Sequence, residues 1–327
     1  MRNNPFLSIV LPVFNEEAQI EATVRAIEGV LASNSLEHEL IIVDDGSRDH
    51  TWDAIAALSS QNRHVHAIRL SRNFGKENAL CAGLEAAAGD ACIVMDGDLQ
   101  HPPEHIPEMV RLWREGSDIV ECVKTSRTKD RIQSRIAARV FNALIHRLTG
   151  FDFGQASDFK LLDAKVVDAW RRMGERNTFF RGMSAWLGFR KSTIGFEVPS
   201  RGTGRSKWSM ASLWRLAINA IASFSSAPLQ LVTFAGVFFF VLSVALGAQT
   251  LYMKYLGGAV SGFTTVILLQ LFIGSMLMIS LGIIGTYIAK IFDEVKHRPR
   301  YLVDREIGGD AANKPREGRA DQDSRTR

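Results

Sequence analysis

Short apolar runs rich in β-branched residues recur through the first part of the chain, at Ser8–Phe14, Leu40–Val43, Val65–Leu70, Ala91–Met95 and Asp118–Val123. Between them lie segments with helical spacing of apolar positions: Glu17–Ala32, Trp52–Ser59, Lys76–Ala88 and Glu104–Glu115. Strand–helix alternation at this spacing predicts an α/β domain built on a mostly parallel sheet with helices on both faces. Ligands of such sheets bind beyond the carboxyl ends of the strands. Acidic clusters fall at two of those ends, Asp44-Asp45 and Asp96-Gly97-Asp98, and Glu16 follows the first strand.

The pattern then changes. Over Arg131–Thr149, Ile132, Ile136, Val140, Leu144 and Leu148 recur on one side of a helix, while Arg131, Arg135 and Arg139 step by four on another. A basic amphipathic helix of this kind suits a membrane surface; a surface helix on a soluble core has the same pattern. A second amphipathic segment, Ser209–Phe224, runs into two charge-free apolar blocks, Leu229–Met253 and Phe263–Ala289. Each exceeds the roughly 20 residues that a membrane span needs. The short connector makes them a hairpin, and basic residues flank its two outer ends (Arg201–Lys207 before, Lys290, Lys296, Arg298 and Arg300 after). The positive-inside rule then predicts both termini in the cytoplasm. The resulting division is a catalytic-type domain over 1–205, a juxtamembrane helix over 206–228, two spans over 229–290, and a tail over 291–327, disordered from about Gly308.

Mean hydropathy of +0.00 over the 327 residues averages these unlike parts and describes neither. Net charge is +4. Its basic clusters adjoin the apolar blocks, so phosphate or an anionic membrane lipid is expected as partner rather than nucleic acid. Three cysteines, an odd set without Cys-x-x-Cys spacing, argue against a disulfide framework or a zinc site. Met1–Phe6 is too short and polar for a signal peptide, so the first domain should stay on the side where it is made.

Two carboxylates separated by a glycine, as in Asp96-Gly97-Asp98, can converge on a hard divalent cation that bridges phosphate oxygens. A capped turn has the same letters. Asp44 or Asp45 can accept hydrogen bonds from a nucleobase or ribose, and either can equally cap the next helix. His101 precedes proline, and solvent exposure is expected of it rather than a metal role. Trp186 and Phe189 are expected in the core or at a membrane interface.

Several segments in order resemble glycosyltransferase family 2: Ser8-Ile9-Val10-Leu11-Pro12-Val13-Phe14-Asn15-Glu16-Glu17, Val43-Asp44-Asp45-Gly46-Ser47, and Met95-Asp96-Gly97-Asp98-Leu99-Gln100-His101-Pro102-Pro103. Within it the chain is similar to polyisoprenyl-phosphate glycosyltransferases, such as dolichyl-phosphate mannose synthases and bactoprenol glucosyltransferases. Ser71–Glu77, Ser157–Asp163, Arg201–Trp208 and Glu294–Tyr301 add to the likeness, which runs from about Phe6 to Val303. The resemblance implies a GT-A type, Rossmann-like catalytic domain with interfacial amphipathic helices and a C-terminal two-helix transmembrane hairpin. It implies transfer of one sugar, with inversion, from a nucleotide-sugar donor (UDP first, GDP next) to a polyisoprenyl phosphate such as undecaprenyl phosphate. Pro12, Glu16 and Asp44 would border base and ribose. Asp96 would hold the diphosphate region, and Asp98, with Gln100 nearby, would bind Mg²⁺ or Mn²⁺. Arg127, Arg131, Ser134 and Arg135 would bind the lipid phosphate, and Lys207 lies in a segment that would close over the diphosphate. Asp158 would position or deprotonate the acceptor, or else be a structural strand-end carboxylate. A homo-oligomer is also implied as a partner state.

Two rival readings share part of this evidence. A processive polysaccharide synthase has the same acidic motifs but usually a Gln-x-x-Arg-Trp motif and more spans. A scaffold that has lost catalysis would be expected to lack members of the set Asp44, Asp96, Asp98, Arg131 and Lys207, all of which are present.

Overall fold

The computed structural model describes residues 5–98, 100–124, 157–173, 175, 180–196, 227–256 and 262–309. The predicted basic helix over 131–149, the juxtamembrane segment and the chain beyond 309 lie outside the described residues. The chain divides into two compact units. One comprises 1–140, 151–204 and 298–327; the other comprises 141–150 and 205–297.

The first unit holds an α/β sheet. Strands β1 (Phe6–Val13), β2 (Glu37–Asp44), β3 (Val65–Leu70) and β4 (Ala91–Val94) alternate with helices α1 (Ile20–Ser33), α2 (Thr51–Gln61) and α3 (Lys76–Ala86). A 3-10 turn at Pro103–His105 leads into α4 (Ile106–Arg114), where the proline at the start costs no hydrogen bond. Then come β5 (Ile119–Lys124), β6 (Lys160–Asp163), α5 (Ala164–Arg172), α6 (Phe180–Trp186), β7 (Lys191–Phe196) and β8 (Val303–Ile307). The sheet order is β7-β5-β6-β4-β1-β2-β3-β8. Strands β4-β1-β2-β3 run parallel, as do β5 and β7, whereas β6 pairs antiparallel with β4 and β5, and β8 antiparallel with β3. The predicted mostly parallel sheet is therefore mixed. β1 is buried from Leu7 onward because both sheet faces are covered, which is why it reads as a continuous apolar run. Gly83 of α3 lies so close to β1 that an added Cβ would sit 2.3 Å from Val10 Cγ1, so glycine permits that packing distance.

The strand β8 was not expected in the polar tail. It follows the second apolar block in the chain and covers the β3 edge, protecting an unpaired strand. Around it, Arg300 bonds the Met173 carbonyl, Tyr301 donates to Glu85 at 2.5 Å, and His66 Nε2 lies 2.7 Å from Glu306.

The second unit contains α7 (Ala227–Tyr255) and α8 (Phe263–Val295). At 29 and 33 residues they extend about 43 and 50 Å, beyond a hydrocarbon core of about 30 Å. Both are long and apolar enough to cross a membrane, and both leave large apolar side chains such as Phe238 and Leu281 exposed.

Candidate active site

At the carboxyl ends of β1, β2 and β4 a cleft of about 330 Å³ opens, lined by Pro12, Phe14, Glu16, Asp45, Lys76, Asp96 and Asp98 among others. The loops after β1, β2, β3 and β4 all line it, and each is tied to another. Asn15 adopts a left-handed φ of 55°, which asparagine tolerates better than most residues. Its amide donates to Ser47 Oγ at 2.9 Å, and its Oδ1 accepts from the Arg48 amide at 2.9 Å. The Glu16 amide donates to Thr51 Oγ1. This reciprocal lock fixes the Glu16 backbone over the β2–α2 turn.

Asp44 and Asp45 diverge. Asp44 is fully buried; its Oδ1 accepts from the Ser47 amide, and its Oδ2 lies 3.5 Å from Arg69 Nε. Burial raises its pKa, opposed by the Ser47 hydrogen bonds and the Arg69 charge. Its carboxylate thus caps the turn after β2, and it is not among the residues that line the cleft. Asp45 occupies that wall, and its two oxygens accept from the Phe74 and Gly75 amides at 2.7 and 2.9 Å.

The Asp96-Gly97-Asp98 turn is held from three sides. Thr23 Oγ1 of α1 donates to the Gly97 carbonyl at 2.8 Å, and a Cβ on Gly97 would meet Val13 Cγ1 at 2.6 Å. His101 is only 3% exposed, correcting the expectation of a solvent-facing ring. It stacks on Phe159 with centroids 5.1 Å apart, and its Nδ1 accepts from the Asp96 amide at 2.9 Å. Burial lowers its pKa, and the accepting Nδ1 is consistent with the neutral Nε2–H tautomer. Gln100 secures Asp98: its amide donates to Oδ1 at 3.1 Å and its side chain to Oδ2 at 2.5 Å.

Lys76, at the start of α3, reaches between two acids. Its Nζ is 2.5 Å from Asp96 Oδ1 and 2.7 Å from Asp158 Oδ2. Burial opposes its charge, but the two carboxylates prevail and raise its pKa, so it is an ammonium at neutral pH. Asp158 is brought to the site by the antiparallel return of β6 along β4. In the sequence Lys76 stands out only as part of the Ser71–Glu77 segment of the family likeness. Its partner Asp158 is 82 residues away, which no local pattern reveals.

The cleft is strongly acidic. Glu16 has a raised pKa, first from burial and then from the charges of Asp98, Asp49 and Asp96. Such a field suits a cation. No three His, Cys, Asp or Glu side chains among the described residues converge on one point. Asp96 and Asp98 are the carboxylate pair in the cleft that could hold a metal ion. That donor set fits a hard ion such as Mg²⁺ or Mn²⁺, which commonly completes its shell with phosphate oxygens and water. Arg127, Arg131, Ser134, Arg135 and Lys207 lie outside the described residues. Trp186 is 58% exposed and so is not a core residue.

An acidic cleft at the carboxyl ends of the strands of an α/β sheet is where such sheets bind their ligands. Residues 8–170 match the Glycosyl transferase family 2 domain. The chain is 40% identical to an uncharacterized glycosyltransferase of Synechocystis, over 91% of this chain and 94% of that one. It is 35% identical to the bactoprenol glucosyl transferase of Shigella phage SfV, over 92% of this chain and 98% of that one. Among solved structures, it overlaps a Mycobacterium tuberculosis glucosyl-3-phosphoglycerate synthase bound to Mn²⁺ and UDP-glucose. That overlap has a TM-score of 0.45 at 20% identity, over 67% of this chain and 77% of that one. The chain belongs to glycosyl transferase family 2, has its GT-A-like α/β fold, and is a glycosyltransferase.

Proposed function

We propose that this enzyme transfers a single sugar from a nucleotide-sugar, a UDP-sugar in the first instance, to a polyisoprenyl phosphate such as undecaprenyl phosphate. The observation that carries the reading is the cleft in which Glu16, Asp96 and Asp98 face one space with Lys76 at its wall. Two apolar helices of spanning length in the same chain, and a relative named for bactoprenol glucosyl transfer, support a lipid acceptor.

In this reading Pro12, Glu16 and Asp45 border the nucleoside, with Asp44 bracing the turn from beneath. Asp96 and Asp98 hold Mg²⁺ or Mn²⁺, with Gln100 fixing the Asp98 rotamer. An ion held by these two carboxylates would supply neutralisation of charge on the departing nucleoside diphosphate. Arg127, Arg131, Ser134, Arg135 and Lys207 supply contacts to the acceptor and donor phosphates. A phosphate monoester has a second pKa of about 6 and arrives largely ionised. One of its oxygens attacks the anomeric carbon, the bond to the diphosphate oxygen breaks, and that oxygen leaves with the electron pair. The configuration inverts in a single in-line displacement. No strong base is required, and Asp158, ion-paired to Lys76, serves to position the acceptor. Both chain termini and the reaction lie on the cytoplasmic side, since the basic flanks sit outside the hairpin.

The test is transfer from labelled UDP- and GDP-sugars to added polyprenyl phosphate by the full chain in detergent with Mg²⁺ or Mn²⁺. A solvent-extractable labelled lipid from one donor, abolished by chelator and by Asp98→Ala, is expected. Folded protein that yields no lipid product from any donor would overturn the reading and favour a scaffold. A product of many sugars would favour the processive alternative.

A further inference from the structure

A second pocket adjoins the acidic cleft, with Asn73 common to both. It measures about 380 Å³ and is lined by Arg48, Arg69, Ser71, Arg72, Asn73 and Asp304 among others. Three arginines thus line one polar pocket with one aspartate. Arg69 is already engaged: its Nε lies 3.5 Å from buried Asp44, and its Nη2 donates to the Ser47 carbonyl at 3.4 Å. Asp304 is engaged as well, 3.6 Å from Arg305 Nε. The other two are not. Neither Arg48 nor Arg72 has a carboxylate within ion-pair distance among the described residues, so both exposed arginines at this pocket stand without an acidic partner.

The pocket is also built. Arg72 lies over the Phe74 ring, its guanidinium carbon 4.6 Å from the centroid, a cation–π contact that steadies the side chain. Gly46 has φ +68°, and a Cβ there would meet the Arg72 carbonyl carbon at 2.4 Å, so the turn carrying Arg48 is seated on the loop carrying Arg72. The Ser71 amide donates to the Leu302 carbonyl at 2.8 Å. The β3–β8 register shifts between Arg69 and Leu70: Arg69 faces Arg305 and Leu70 faces Val303, which leaves Asp304 as the extra residue of a bulge at the pocket rim.

We infer that this pocket binds a phosphate-type oxyanion, held by the fork donors of Arg48 and Arg72. Guanidinium groups remain charged at any working pH and match tetrahedral oxyanions through paired N–H donors. Asn73 lines both this pocket and the acidic cleft, and Asp45 anchors the amides of the next two residues. Occupancy therefore steadies the loop that leads into Lys76. The anion can come free from solution or on a lipid headgroup; the chemistry is shared. The inference is independent of which donor and acceptor the enzyme uses.

The experiment titrates inorganic phosphate calorimetrically into the full chain held in nanodiscs. One set of discs is zwitterionic and another contains phosphatidylglycerol. Wild type should bind saturably with Kd below about 1 mM. Arg72→Ala should weaken binding about tenfold, and Arg48→Ala/Arg72→Ala should abolish it while keeping the wild-type unfolding midpoint. Lys76→Ala, which alters the acidic cleft, should leave it unchanged. Equal affinity in both discs identifies a free anion; weaker apparent affinity in the anionic discs identifies a competing headgroup, and both results support the pocket. Absence of saturable binding in either disc, binding that survives the double variant, or binding lost in Lys76→Ala alone would each overturn it.

Discussion

Lys160 is the most informative residue to remove. It sits on β6 directly opposite Glu121 of β5, with side chains 3% and 1% exposed and Nζ 3.3 Å from Glu121 Oε1. Nζ also lies 2.6 Å from Ser184 Oγ and 5.3 Å from the Phe180 ring centre. Glu121 in turn accepts from the amide of Ser157, the residue before Asp158, at 3.2 Å. One buried ion pair thus links β5, β6 and α6 to the strand entry that carries Asp158. Lys160→Met keeps most of the stem's packing but leaves the Glu121 carboxylate buried. Breaking a buried pair from one side costs about 3–5 kcal/mol. Lys191, half in solvent, still pairs with the other Glu121 oxygen, which places the expected loss near the lower bound, about 3 kcal/mol. For a unit of this size that is a fall in Tm of about 6–12 °C. Lys160→Met/Glu121→Gln removes the stranded charge and should recover more than half of the loss. The pH dependence has a definite sign. Burial lowers the Lys160 pKa below its ordinary 10.5, so between the folded and unfolded values the unfolded chain holds more protons. Lys160 therefore contributes stability that increases as pH rises toward 10.5, and Lys160→Met should lack that increment. Thermal unfolding followed by circular dichroism across pH 7–10 measures both effects. A single-variant loss below about 1 kcal/mol, or a double variant no more stable than the single, would refute the reasoning.

Three further changes probe the cleft. Gly46→Ala places a Cβ 2.4 Å from backbone at a φ of +68°, and should cost about 2–3 kcal/mol, read as a lowered Tm. Lys76→Met strands Asp96 and Asp158 against each other, and should lower kcat/KM by about a hundredfold or more in the lipid-transfer assay without a comparable loss of Tm. His101→Phe preserves the stack on Phe159 but leaves the Asp96 amide without its acceptor; about 1–3 kcal/mol should be lost by thermal unfolding, together with a weaker apparent affinity for Mn²⁺ in the transfer assay.

What the sequence alone discloses depends on how local the cause is. The core strands β1 to β5 were legible because they are buried on both faces and so read as apolar runs. β6 was not, since its four residues begin with a lysine whose burial makes sense only beside Glu121. β8, Val303–Ile307, has three charged residues at its centre and lies on an exposed edge, where charge is a safeguard and hides the strand from a hydropathy reading. The same division runs through the site. The Asp96-Gly97-Asp98 turn is a contiguous motif and could be found. Lys76 could not be given its partners, because Asp158 arrives through a reversed strand. The two adjacent aspartates are the instructive case. Side chains alternate along a strand, so Asp44 shares its side of β2 with Leu40 and Ile42, both core residues, and is carried into the interior. Asp45 is one residue past the strand and turns into the cleft. The end of β2 thus separates the carboxylate that caps the turn from the one that lines the cleft, even where a motif treats the pair as equivalent.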